Sequence, residues 1–242
     1  MYKARMVVGL AAWVFTGFAL ASVIIVAIVD GLKALGASFA TVNEAVFSFV
    51  AAALVYIFSL TIVIGLPWVI KKYATTKGEI GLTRLPSWMD ILLAPAGFVV
   101  YFISSSIIAL VISHLIPGFD VNQVQETGFE NLTQRYEYIA AFIALVVLAP
   151  VAEEILFRGY LYGKLKKYVP VWVAIIVTSA LFGAVHGHWN VALDVFVLSI
   201  VLCSLREVTG NIWAGILLHM LKNGIAFYFL FINTSLLDTI GK

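Results

Sequence analysis

The chain has 242 residues, 62% of them hydrophobic and only 12% charged, and its mean hydropathy is +1.04. So much apolar matter excludes a disordered chain, and the polar residues are too few to wrap it as one water-soluble globule. Against 13 Asp and Glu stand 15 Lys and Arg, a net charge of +2 that does not suggest nucleic-acid binding; the single cysteine, Cys203, excludes an internal disulfide and reads as a small buried hydrophobe.

The apolar residues fall in runs long enough to cross a hydrocarbon core of ~30 Å. The first covers residues 6–29 behind Lys3 and Arg5, too long for a cleaved leader and therefore read as a retained helix. The second covers residues 45–70. A basic loop with Lys71, Lys72, Lys77 and Arg84 leads to the third, residues 90–116, which Pro117 and Gly118 end. Residues 118–137 form the one long acidic stretch. The fourth run begins near Tyr138, passes Pro150 and continues as a helical pattern to Lys167. The fifth, sixth and seventh cover residues 171–185, 191–205 and 212–232. The expected fold is an all-α polytopic transmembrane bundle of about seven helices. Residues 1–137 are its N-terminal helices and loops, 138–232 its helical core, and 233–242 a C-terminal tail. Seven spans with a cytoplasmic N-terminus put every basic cluster on one side and the acidic stretch on the other, as the positive-inside rule requires.

Ionisable groups inside spans are rare and demand a reason. Glu154 and Arg158 are four apart, share a helix face and can pair. Glu153 is rotated about 100° from Glu154 and lacks that partner, which makes it a candidate base for activating water. Pro150 either kinks this helix or restarts it; a restart would set both glutamates near a positive helix end. Phe182 and His186 lie on one face of the fifth run, and His219 and Asn223 on one face of the seventh. His188 and His114 read as interfacial. Counted from the helix ends, Glu153 is ~16 Å deep, His186 ~24 Å, and His219 and Asn223 ~12–18 Å, depths that helix tilt can bring to one layer. Taken singly, each group has a bland reading, such as a charged helix end or interhelical glue. Together they suggest a site. Two chemistries fit. Glu153, His186 and His219 hold a divalent metal such as zinc with a position open for water. Alternatively, without metal, Glu153 and His186 activate water while His219 and Asn223 stabilise the oxyanion. Neither a His-Glu-x-x-His nor a Gly-x-Ser-x-Gly signature is present.

The ordered set Glu153-Glu154-x-x-x-Arg158, Phe182-x-x-x-His186, His219-x-x-x-Asn223 resembles the CPBP (Abi) family of intramembrane peptidases, which includes the type II CAAX prenyl endopeptidases and bacteriocin-immunity proteins. The likeness covers about residues 138–232, and Gly81-Leu82 resembles a short element common upstream in such proteins. It implies a membrane metallopeptidase-type endopeptidase, with Glu153, His186, His219 and Asn223 catalytic and with Glu154, Arg158 and Phe182 as support. It also implies a bundle of eight rather than seven helices. Its partners would be membrane lipid and a peptide or protein substrate entering from the membrane, and its place the prokaryotic plasma membrane. No feature of the chain reads a prenyl group. The alternatives are a non-catalytic immunity or partner-binding protein of the same fold, and an ion-coupled transporter using Glu153, Glu154 and Arg158. No internal repeat supports the transporter.

Overall fold

The computed structural model describes residues 2–116 and 128–233, so Asp120 and Glu126 of the acidic stretch and all but the first residue of the tail lie outside it. Every regular element among the described residues is a helix. In chain order these are α1 Tyr2–Ala34, α2 Glu44–Lys71, α3 Lys77–Ile80, α4 Trp88–Leu115, α5 Arg135–Leu165, α6 Val171–Ala184, α7 Trp189–Thr209 and α8 Trp213–Ile232. Each of the seven expected runs is a helix. Five of them, α1, α2, α4, α5 and α8, are long and apolar enough to cross a membrane. Helix α6 is apolar but has 14 residues, and α7 has 21 residues but carries Asp194, Arg206 and Glu207. In α2 and α4 only 11% of the most apolar window is buried within the protein, so most of that surface needs lipid as its solvent.

Local chemistry sets the helix starts. The Asn43 side chain accepts from the Val46 amide at the head of α2. Thr76 with Glu79, and Ser87 with Asp90, form capping boxes at α3 and α4. Helix α3 stops at Gly81, whose φ of +85° suits glycine. Pro150 does not restart a helix: α5 runs through it, and the expected positive helix end beside the glutamates is absent. A proline lacks the amide donor and crowds the carbonyl four residues back. The chain answers by widening to π-helical winding over Ile143–Leu148, and widens again over Glu154–Tyr162.

The chain divides into two compact units, with boundaries inside α1, α5 and α8. The first comprises Met1–Phe15, Thr75–Gln125 and Glu153–His219; the second comprises Thr16–Ala74, Glu126–Ala152 and Met220–Lys242. The first unit's core packs Ala94 and Tyr101 of α4 against Leu198, Leu202 and Leu205 of α7 and Leu218 of α8. Residues 76–84 strap its helix ends together largely through backbone carbonyls. The Glu79 carbonyl accepts from Arg206 at 3.4 Å, the Gly81 carbonyl from the Ile212 amide at 3.1 Å, and the Arg84 carbonyl from the Trp213 indole at 2.7 Å. Gly81 lies so close to Arg206 that a Cβ there would stand 2.5 Å from its Cζ. That contact and the positive φ explain the glycine of the Gly81-Leu82 element. The second unit's core joins Ala45, Phe129, Ala141, Ala144, Val146 and Phe227.

Candidate active site

Helix α5 supplies Glu153, Glu154 and Arg158 to the first unit. Arg158 and Glu154 are fully buried, and Arg158 Nη1 donates to Glu154 Oε1 at 2.9 Å, the pairing their spacing predicts. The same oxygen stands 3.1 Å from His219 Nδ1 of α8. A carboxylate only accepts, so Nδ1 carries the proton, and Glu154 fixes both the tautomer and the orientation of the ring. The other ring nitrogen, Nε2, is 3.8 Å from Glu153 Oε2. His219 is therefore flanked by two carboxylates, one hydrogen-bonded and one just beyond hydrogen-bond distance. The Glu153 side chain keeps 12% of its surface exposed, whereas that of Glu154 keeps none.

Phe182 of α6 is the apolar hub. Its ring meets those of His186, His219 and Phe157 edge-on, with centroids 4.9, 5.9 and 4.9 Å away, and the Arg158 guanidinium lies 4.2 Å over it. The cation–π contact gives the buried charge a second partner beyond Glu154. His186 Nδ1 lies 2.7 Å from the Phe182 carbonyl. A carbonyl cannot donate, so that nitrogen is protonated and Nε2 of the neutral ring is an acceptor.

Five of the sequence-selected residues thus gather on α5, α6 and α8 in the first unit around Glu153: Glu154, Arg158, Phe182, His186 and His219. Asn223 belongs to the second unit, where its side-chain amide donates to the Leu145 carbonyl at 2.8 Å. His114 is exposed, with Nδ1 2.8 Å from the Leu110 carbonyl; half-buried His188 stands at the N-terminal cap of α7. Among the described residues no three His, Cys, Asp or Glu side chains stand close enough to hold a metal ion. As placed, Glu153, His186 and His219 do not form such a group, although a ring whose Nδ1 is held by a carboxylate, as Glu154 holds His219, keeps Nε2 as the ligating nitrogen.

The sequence reading passed over Asp194 in the sixth run. It joins α7 to α4, its Oδ1 accepting from Tyr101 at 2.7 Å and Ser105 at 2.6 Å. A carboxylate inside an apolar run was the available signal.

The described residues are thus all-helical, with five helices long and apolar enough to cross a membrane and a buried Glu–His–Arg cluster. Comparison with known proteins agrees at the level of family. Residues 135–225 match the family described as type II CAAX prenyl endopeptidase Rce1-like, the likeness that the sequence motifs imply. The chain is 24% identical over 144 residues to the membrane-embedded CAAX protease MroQ of Staphylococcus aureus (strain USA300), covering 57% of each. It is 26% identical over 135 residues to YdiL of Bacillus subtilis (strain 168), named as a candidate membrane peptidase, covering 56% of this chain and 54% of that protein. A 24.3 kDa Escherichia coli protein without an assigned function is 29% identical over 89 residues, 35% of this chain and 41% of its own length. The chain thus spans about half the length of the curated relatives it matches. No solved structure matches it. The apolar helices and the family together support an integral membrane protein with a protease-type function.

Proposed function

We propose that the chain is an intramembrane endopeptidase that hydrolyses a peptide bond of a membrane-associated substrate. The observation that carries this reading is the 3.8 Å approach of Glu153 Oε2 to His219 Nε2, with Glu154 holding the opposite side of the ring. Two carboxylates set about one imidazole divide the work: one orients, the other is left to act as base. Glu153, the more accessible of the two, takes a proton from water, and His186 Nε2 accepts a hydrogen bond from that water and steers it to the carbonyl. With Nδ1 held by Glu154, a proton on Nε2 turns His219 into a donor for the oxyanion. No step is routed through a metal. Arg158 holds Glu154 in place. The site acts within the prokaryotic plasma membrane, with the N-terminus cytoplasmic on the distribution of basic loops.

The decisive comparison uses purified full-length protein in lipid with a membrane peptide reporter. Glu153→Gln retains shape and loses the base, so cleavage is expected to fall by roughly 10²–10⁴-fold with the melting temperature unchanged. Full cleavage by a folded Glu153→Gln protein would end the proposal.

A further inference from the structure

Residues 76–84, which carry the Gly81-Leu82 element, rest on three helices of the first unit at once. On α5 they lie against Gly159 and Gly163, which are buried and four residues apart. A Cβ at Gly159 would stand 2.7 Å from Ile80 Cγ2 and 3.2 Å from the Ile80 carbonyl oxygen; one at Gly163 would stand 2.8 Å from the Glu79 carbonyl oxygen. That same carbonyl accepts from Arg206 of α7 at 3.4 Å. Two residues on, the Gly81 carbonyl accepts from the Ile212 amide at 3.1 Å, at the head of α8. Ion pairs hold the margins: Lys167, just past the end of α5, meets Glu79 at 2.7 Å, and Arg84 meets Asp90 at the start of α4 at 2.6 Å.

Glycine inside a helix is costly, because it gives up the most backbone freedom on folding. Here the two glycines admit a backbone that a Cβ would hold off. Gly159 lies in the π-wound part of α5, Glu154–Tyr162, which also carries Glu154 and Arg158. A π turn takes more residues than an α turn, so a return to α-winding would turn these side chains about the helix axis. On α8, His219 stands seven residues, two turns, beyond the Ile212 amide. The segment therefore grips α5 beside Arg158 and α8 two turns before His219. At the active site these two helices meet in a 3.1 Å hydrogen bond from His219 to Glu154. A slide of either helix by roughly half an ångström takes such a bond past useful length.

We infer that residues 76–84 are a strap that sets α5 against α8, and that Ile80, seated on Gly159, is a positioning residue for the pair Glu154 and His219. The strap's part in cleavage rests on the proposed hydrolysis; its hold on His219 does not. Ile80 acts through Gly159 on the stretch that carries Arg158 and Glu154, and the Gly81 carbonyl acts through Ile212 on α8. The connection leading into α4 is then part of the support of the site, although it holds none of the three motifs.

Nitrogen NMR of the full-length protein, labelled with nitrogen-15 at histidine and held in lipid nanodiscs, reads His219 without any substrate; His219→Gln assigns its signals. The ring nitrogens report which of them carries the proton. The wild type is expected to show one tautomer, protonated at Nδ1; any other state removes the contact the strap holds and overturns the inference. Gly159→Ala drives a methyl group against Ile80. It should move both nitrogen signals toward the tautomer average and lower kcat roughly 10–10²-fold with KM unchanged. Adding Ile80→Ala removes the methyl group that the new one meets, and should restore the signals and most of the rate. Unchanged His219 signals in folded Gly159→Ala overturn the strap. So does a shift that Ile80→Ala fails to restore, because the effect then lies within α5. If Gly159→Ala does not fold, Ile80→Ala alone decides: the emptied seat should move the signals the same way, and unchanged signals overturn the strap. A chain whose His219 follows these variants but which cleaves nothing keeps the strap and loses the peptidase reading; one that cleaves while His219 ignores them does the opposite.

Discussion

Helix α5 carries two buried carboxylates, and they are satisfied in opposite ways. Glu137, at the start of the helix, accepts from the Gln134 amide at 2.8 Å and from Asn43 at 2.6 Å, and also binds the Thr133 amide and hydroxyl. Nearly all of this comes from residues three or four away, and it completes the first turn of the helix. Glu154, seventeen positions on, has one oxygen shared between Arg158 and a histidine 65 residues away, and its second oxygen has no protein partner. The first carboxylate is a cap. The second is held by a long-range and incomplete network, which a stable fold has no need to build. A locally completed carboxylate marks structure, and an incompletely satisfied buried one marks a place where something else binds or reacts.

That contrast can be broken at several points. The largest effect on stability is expected from Arg158→Ala, which strips buried Glu154 of the guanidinium it is paired with. A loss of about 3–5 kcal/mol follows for such a broken pair, read as a lower unfolding midpoint in detergent. Replacing both partners, with Glu154→Gln and Arg158→Met together, should recover most of that stability, because no buried charge is then stranded. Cleavage should stay lost in the double variant, since His219 Nδ1 no longer donates to a carboxylate; recovered cleavage would show that Glu154 only holds the fold. Glu137→Gln is expected to lower the melting temperature by a few degrees while cleavage per folded molecule is unchanged. A drop in cleavage there would erase the distinction between the two carboxylates. Smallest of all, His188→Ala removes a half-buried ring that makes no side-chain capping bond at the head of α7, and should shift stability by no more than about 0.5–1 kcal/mol and leave cleavage intact.

Much of the helical layout was legible because it is local. Runs of apolar residues fix where helices can span, and each of the seven expected runs is a helix. The Glu154–Arg158 pair could be read from spacing alone. The count of membrane-crossing helices was less legible: α6 is short and α7 carries three charged residues, so hydrophobicity described their membership of the bundle but not their depth. Pro150 was misleading for a related reason. A proline signals that regular α-winding must yield, but whether the chain stops or widens depends on what packs around it.

By itself the sequence determined that this is an all-helical membrane protein, and it named the polar side chains that lipid would not tolerate. Periodicity states which face of a helix a residue occupies; it does not state which other helix that face meets. Tertiary structure alone decided that His219 reaches Glu154, that Tyr101 reaches an aspartate 93 residues away, and that Arg206 seats under Gly81. Those contacts are set by the packing of whole helices, a cooperative property of many side chains that no short stretch of sequence contains.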